Sequence, residues 1–160
     1  MTAKDAMEQR DEMLNEYEKG IQMPAHEAPG TNEELEKYLT MDRTVLESIA
    51  SEECSIIEYR LGQFAFYLQR AQNRELARVT WAKNELRLSI AKELNDYKGY
   101  GYEALSSQAI KGNEHATKVN QILVYAQQRA DRLNFLSNGL RNLGDILKSM
   151  SYNRRQSSHE

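Results

Sequence analysis

Cations set at helical intervals beside aromatic rings are the residues of this chain with a chemistry to offer. Arg70, Arg74 and Arg78 recur every fourth residue with Trp81 close beyond, and Lys83 and Arg87 repeat the spacing. Farther on, Arg141, Lys148 and Arg155 stand seven apart, and Lys118 and Arg132 share another face with Tyr125 between them. Evenly spaced cations can follow a phosphate backbone, while nearby rings offer stacking platforms for unpaired bases. Tyr97, Lys98, Tyr100 and Tyr102 combine both features in a stretch loosened by Gly99 and Gly101. The candidate nucleic-acid contacts are therefore Lys83, Arg87, Lys92, Tyr97, Lys98 and Tyr100. The competing reading is a set of solvated helix faces whose arginines pair with acids, as Arg78 can with Glu75 three residues before it. Exposed pairs of that kind contribute only about 0.3–0.5 kcal/mol. Trp81 reads either as a platform for bases or as packing between helices.

Catalytic chemistry has less to draw on. His26, His115 and His159 lie far apart, and no second histidine or cysteine stands at a helical metal-ligand spacing. Cys54 follows Glu52 and Glu53, carboxylates that disfavour a nucleophilic thiolate. Gly99-Tyr-Gly-Tyr102 lacks the Gly-Lys-Ser/Thr of a phosphate loop and no strand precedes it. The reading is a protein that is not an enzyme and needs neither metal nor cofactor.

The elements that must position these residues are helices. Aromatics make up 8% of the 160 residues and charged residues 28%, the balance of long helices with narrow apolar stripes. No run approaches the roughly 18 apolar residues of a membrane span, and one cysteine permits no internal disulfide, which fits a reduced, cytoplasmic setting. The net charge of −3 hides a gradient: residues 1–60 hold 15 acids against 6 bases, and residues 106–160 hold 8 bases against 4 acids. Such asymmetry suggests separate partners or head-to-tail contact between copies.

Residues 1–30 read as an acidic helix ended by Gly20, then a linker around Pro24 and Pro29. Thr31 and Glu34 form a capping-box pattern for a short helix over 32–39. Residues 31–160 then read as a helical hairpin domain. A proline-free run predicts one long helix over 41–98, capped by Thr40 or Asp42, with a seam of Ile57, Leu61, Phe64 and Leu68. Its register slips at Asn73-Arg74-Glu75, where a bend or break is expected. Residues 99–113 read as a turn in which Ser106 or Ser107 caps a short helical segment, and 114–152 as a second long helix. The second helix carries a seam with alternating steps of three and four, including Leu123, Ala126, Ala130, Leu133, Leu140 and Leu147. These residues are the expected interface between copies, the small ones allowing close backbone approach. The fold expected is all-α: a long antiparallel, coiled-coil-like hairpin with an acidic appendage, assembled as a homo-oligomer.

Ala91-Lys-Glu-Leu-Asn-Asp-Tyr-Lys-Gly-Tyr-Gly101, continued by a long helix with Leu147-Lys148-Ser149 and Arg154-Arg155, resembles the UvsY-type recombination mediators of T-even-like bacteriophages. The resemblance covers roughly residues 75 to 155. Lys92, Tyr97 and Gly99 fall where that family places a basic residue, a tyrosine and a turn, whereas Glu93-Leu94 and Tyr97-Lys98 depart from its doubled basic and doubled tyrosine positions. The resemblance implies a recombination or replication accessory that binds single-stranded DNA and works with a recombinase or a single-strand-binding protein, in the host cell cytoplasm if phage-encoded. It also implies contact through Lys83, Arg87 and Lys92, with Tyr97 and Tyr100 stacking on bases. Two other readings stay open: a phage scaffold or adaptor built on helix packing, and an inhibitor whose acidic head mimics nucleic acid.

Overall fold

The computed structural model of the chain describes residues 2–96 and 101–157. Among these residues there are six α-helices and no strand: α1 (Ala3–Gly20), α2 (Asn32–Leu39), α3 (Arg43–Ser48), α4 (Ser51–Ile90), α5 (Tyr102–Gly112) and α6 (Glu114–Ser157), with a 3-10 turn at Glu93–Asp96. The all-α hairpin expected from the seams is present, with α4 packed against α6. The expected helix over 41–98 is a correction. It is interrupted at Ile49–Ala50 and ends at Ile90, whereas the anticipated break near residue 73 lies within continuous helix. Asp42 starts α3 by accepting from the Val45 amide at 2.9 Å. Ile49 is then extended (φ −69°, ψ 131°) and buried, so its side chain serves the core at the point where the helix stops.

The chain divides into two compact units, each assembled from distant segments. The first comprises Met1–Ala25 and Asn73–Ala130. Helix α1, expected as an appendage with its linker, is instead an integral part of this unit. A Thr2–Asp5 capping box opens it. Ala3 is buried with Ala82 and Val119, flanked by Trp81, Leu86, Ile122 and Leu123. Charge completes the docking: Arg78 bonds Asp11 at 2.6 Å, and Arg74 reaches Asn15 and Glu18. Gly20 is the last helical residue, and Gln22 takes the left-handed backbone (φ 56°) as the chain turns away.

A second apolar cluster, Ile90, Ala109 and Ala116, closes the α5 corner of this unit. The 99–113 segment expected as a turn therefore contains an eleven-residue helix. Gly101 is its N-cap, and Ser106 and Ser107 lie in its interior. Asn113 fastens the corner. Its Oδ1 accepts from the Ala116 amide at 3.0 Å, and its Nδ2 donates to Glu93 at 2.9 Å.

The second unit comprises His26–Gln72 and Asp131–Glu160. Its core is the expected seam of α4, with Ile57, Leu61, Phe64 and Leu68 buried beside Leu140 and Leu147 of α6. Ser137 donates to the Ala65 carbonyl at 3.0 Å, a contact that only a small residue allows at such close helix approach. The segment before α2 is held by Arg60, which forms a two-pronged ion pair with Glu34 (3.0 and 2.9 Å) and donates to the Pro29 carbonyl at 3.0 Å. Gly30 is required there: a Cβ would lie 2.1 Å from Glu34 Oε2 and 2.9 Å from Phe64 Cζ. Helix α6 runs five residues past its expected end at 152. The reason is Arg154, which donates to carbonyls at and just past the end of α3, Leu46 at 3.1 Å, Glu47 at 2.9 Å, and Ile49.

Candidate nucleic-acid interface

A cation already paired within its own chain has less attraction to offer phosphate than an unpaired one, so the ion pairs sort the candidates. Arg74 and Arg78 belong to the structural set. Arg78 donates to Asp11 (2.9 and 2.6 Å) and to Glu75 at 2.6 Å, and the hydrogen bond to Asp11 raises the guanidinium pKa above its ordinary value. Glu75 is buried, and its second oxygen lies 3.2 Å from Arg129, an ion pair off hydrogen-bond alignment. Trp81 packs at the edge of the Ala3–Ala82–Val119 cluster, so its role there is between helices.

The final-helix series is mostly engaged as well. Arg141 bonds Gln69, Arg155 bonds Ser51 Oγ at 3.2 Å, and Lys118 pairs with Glu114 at 2.6 Å. Glu114, held by that lysine, is a stronger acid than an ordinary glutamate. Lys148 and Arg132 remain exposed on α6, in the second unit, and Tyr125 is exposed on α6 in the first.

What remains on α4 is Lys83 and Arg87, one helical turn apart. Both are exposed, and neither is paired with a carboxylate among the described residues. Lys92, just past the helix end, is exposed too. Tyr97, Lys98 and Tyr100 lie outside the described residues. Tyr102 opens α5 with 65% of its surface free. It borders a shallow groove with Ser106, Ser107, Lys111 and Thr117, in which Lys111 adds a cation that helical spacing alone did not single out. Its signal was weak because α5 carries too few residues to display a charged repeat.

The expected interface between copies is corrected. Ala126, Ala130, Leu140 and Leu147 are completely buried in their own chain, and Leu123 and Leu133 pack partly buried against its cores. The small-residue seam allows α6 to approach α4 of the same chain, which covers its small members completely. Cys54 is fully buried, His26 stacks on Tyr67 at 4.5 Å, and His115 bonds Glu85 at 3.0 Å. Among the described residues no three metal-ligating side chains gather, and no helix is long and apolar enough to cross a membrane. No protein-family model, curated protein or solved structure matches the chain.

Proposed function

We propose that this protein is a non-enzymatic recombination or replication accessory that binds single-stranded DNA in the cytoplasm and acts alongside a recombinase or a single-strand-binding protein. The observation that carries the reading is the separation of cations on and just past α4: Arg74 and Arg78 are held by the chain's own acids, while Lys83, Arg87 and Lys92 are exposed and have no carboxylate partner among the described residues. These free cations lead in sequence to the tyrosine-rich stretch, and Tyr102 at its end is exposed. Cations with no internal counter-ion keep their full attraction for phosphate, and exposed rings can stack on unpaired bases. Each chain offers few such groups, so assembly of several copies would multiply the contacts along one strand.

Anisotropy of a labelled single-stranded oligonucleotide tests the reading. Binding at low salt that weakens steeply with added salt is expected, and no binding at low salt would eliminate it. The assembly-protein reading has one observation in its favour, the large apolar side chains left open on α4, among them Phe66 at 65% exposure. It expects no oligonucleotide binding in the same titration. The nucleic-acid mimic is disfavoured because Asp11 and Glu18 of the acidic head are engaged by Arg78 and Arg74.

A further inference from the structure

In the second unit the outward face of α4 carries Ile56, Tyr59 and Phe66 at 64%, 67% and 65% exposure. Single exposed apolar residues are ordinary, but three large ones on one stripe mark an interaction surface. With Glu52, Gln63 and Arg70 they step by four, three, four, three and four, a heptad seam. At about 100° per residue this seam lies on the side of the helix opposite Leu61, which is completely buried in the core. Gly62 sits beside it, and a Cβ added there would meet nothing within 4 Å. The missing side chain leaves a shallow hollow bordered by Tyr59, Gly62, Gln63 and Phe66.

We infer that this face docks a second copy of the same chain, antiparallel, about a two-fold axis at the level of position 61. The argument is self-complementarity. Reversed about that level, Ile56 of one copy meets Phe66 of the other, Tyr59 meets Gln63, and Glu52 meets Arg70. Every layer pairs an acid with a base, an apolar side chain with an apolar one, or a phenol with an amide. A two-fold interface demands that if one residue meets another, the reverse contact also forms. An unrelated partner helix would impose no such symmetry on the sequence.

The hollow fits the same arrangement, because Tyr59 of the second copy enters the hole that Gly62 leaves. The hydrogen bond that Gln63 donates to Tyr59 within one chain, 3.1 Å long and exposed, is exchanged for its equivalent between copies. Arg70 has a partner in its own chain, and its five N–H donors can serve a second acceptor as well. This pairing is independent of strand binding and uses none of the residues proposed to contact DNA.

Sedimentation equilibrium of the full chain without nucleic acid tests the inference. A mass near twice 18.5 kDa is expected. Phe66→Glu, which places a charge in the seam, and Gly62→Leu, which fills the hollow, each return the protein to single-chain mass while circular dichroism stays helical. Gly139→Leu, at another helical glycine whose Cβ would meet nothing, keeps the wild-type mass. Direction is read by mixing Glu52→Cys protein with Arg70→Cys protein under oxidation, with Cys54 buried out of reach. A crosslink between the two variants supports the antiparallel pairing, in a dimer or in any larger assembly. A wild-type protein at single-chain mass, an assembly indifferent to both seam variants, or a crosslink that forms only between identical variants overturns it.

Discussion

Arginine serves two opposed ends in this chain, and its neighbours decide which. Arg60, Arg74, Arg78 and Arg154 are fasteners, whereas Arg87 is left to solvent. Replacing Arg78 by alanine strips Asp11 and the buried Glu75 of their donor, and the first unit should lose roughly 1–3 kcal/mol in urea unfolding. Gly30→Ala should destabilise the second unit by a similar amount, roughly 1–3 kcal/mol, because its Cβ would enter the space held by Glu34 and Phe64. Two caps contribute to the acid limb. Hydrogen bonds from the Thr2 backbone and side chain lower the pKa of Asp5, and those from Thr44 and the Val45 amide lower that of Asp42, below an unfolded value of 3.8. A lowered carboxyl binds fewer protons folded than unfolded, so its contribution is full above that value and is lost as pH falls through the folded pKa. The double variant Asp5→Asn/Asp42→Asn should therefore show a shallower loss of helicity below about pH 4 than the parent, measured by circular dichroism.

At the scale of elements, helical glycines that touch nothing are points of weakness. Gly139 is exposed in α6 with open space around it, so Gly139→Ala should stabilise the protein by about 0.5–1 kcal/mol in thermal or urea melts. The seams, the Thr31 and Asp42 starts and the Gly112–Asn113 boundary were legible because they depend on residues close in sequence. The end of α3 was not legible: neither glycine nor proline marks Ile49–Ala50, and the carbonyls of Leu46 and Glu47 accept from Arg154, more than a hundred residues away. Helix α1 was misjudged for a related reason. Its apolar stripe is thin, and what docks it is a set of charges whose partners, Arg74 and Arg78, looked equally suited to phosphate. The same ambiguity explains why spacing alone proposed more cations for the candidate interface than the ion pairs leave free.

For the molecule as a whole, a net charge of −3 opposes approach to a polyanion, so any strand binding must come from a few local cations rather than the mean field. Neutralising both Lys83 and Arg87 should then lower the slope of log K against log salt on single-stranded DNA by about 1.4 per chain, at about 0.7 for each phosphate no longer neutralised. An unchanged slope would place the binding site elsewhere. The outward apolar face of α4 was readable only once the core was known, because the same helix carries both an inward and an outward seam and the sequence does not mark which is which.

The interleaving of segments between the units has a consequence for synthesis. As the chain emerges from a ribosome, α1 precedes the arginines that receive it by about sixty residues, and Val119 follows only near the start of α6. The first unit can close before residue 131 is made. The other must wait for Leu140, Leu147 and finally Arg154, so the apolar inner side of α4 from Ile57 to Leu68 stays bare until those residues are made. That bare interval is the period in which the nascent protein is most exposed to aggregation and to capture by chaperones.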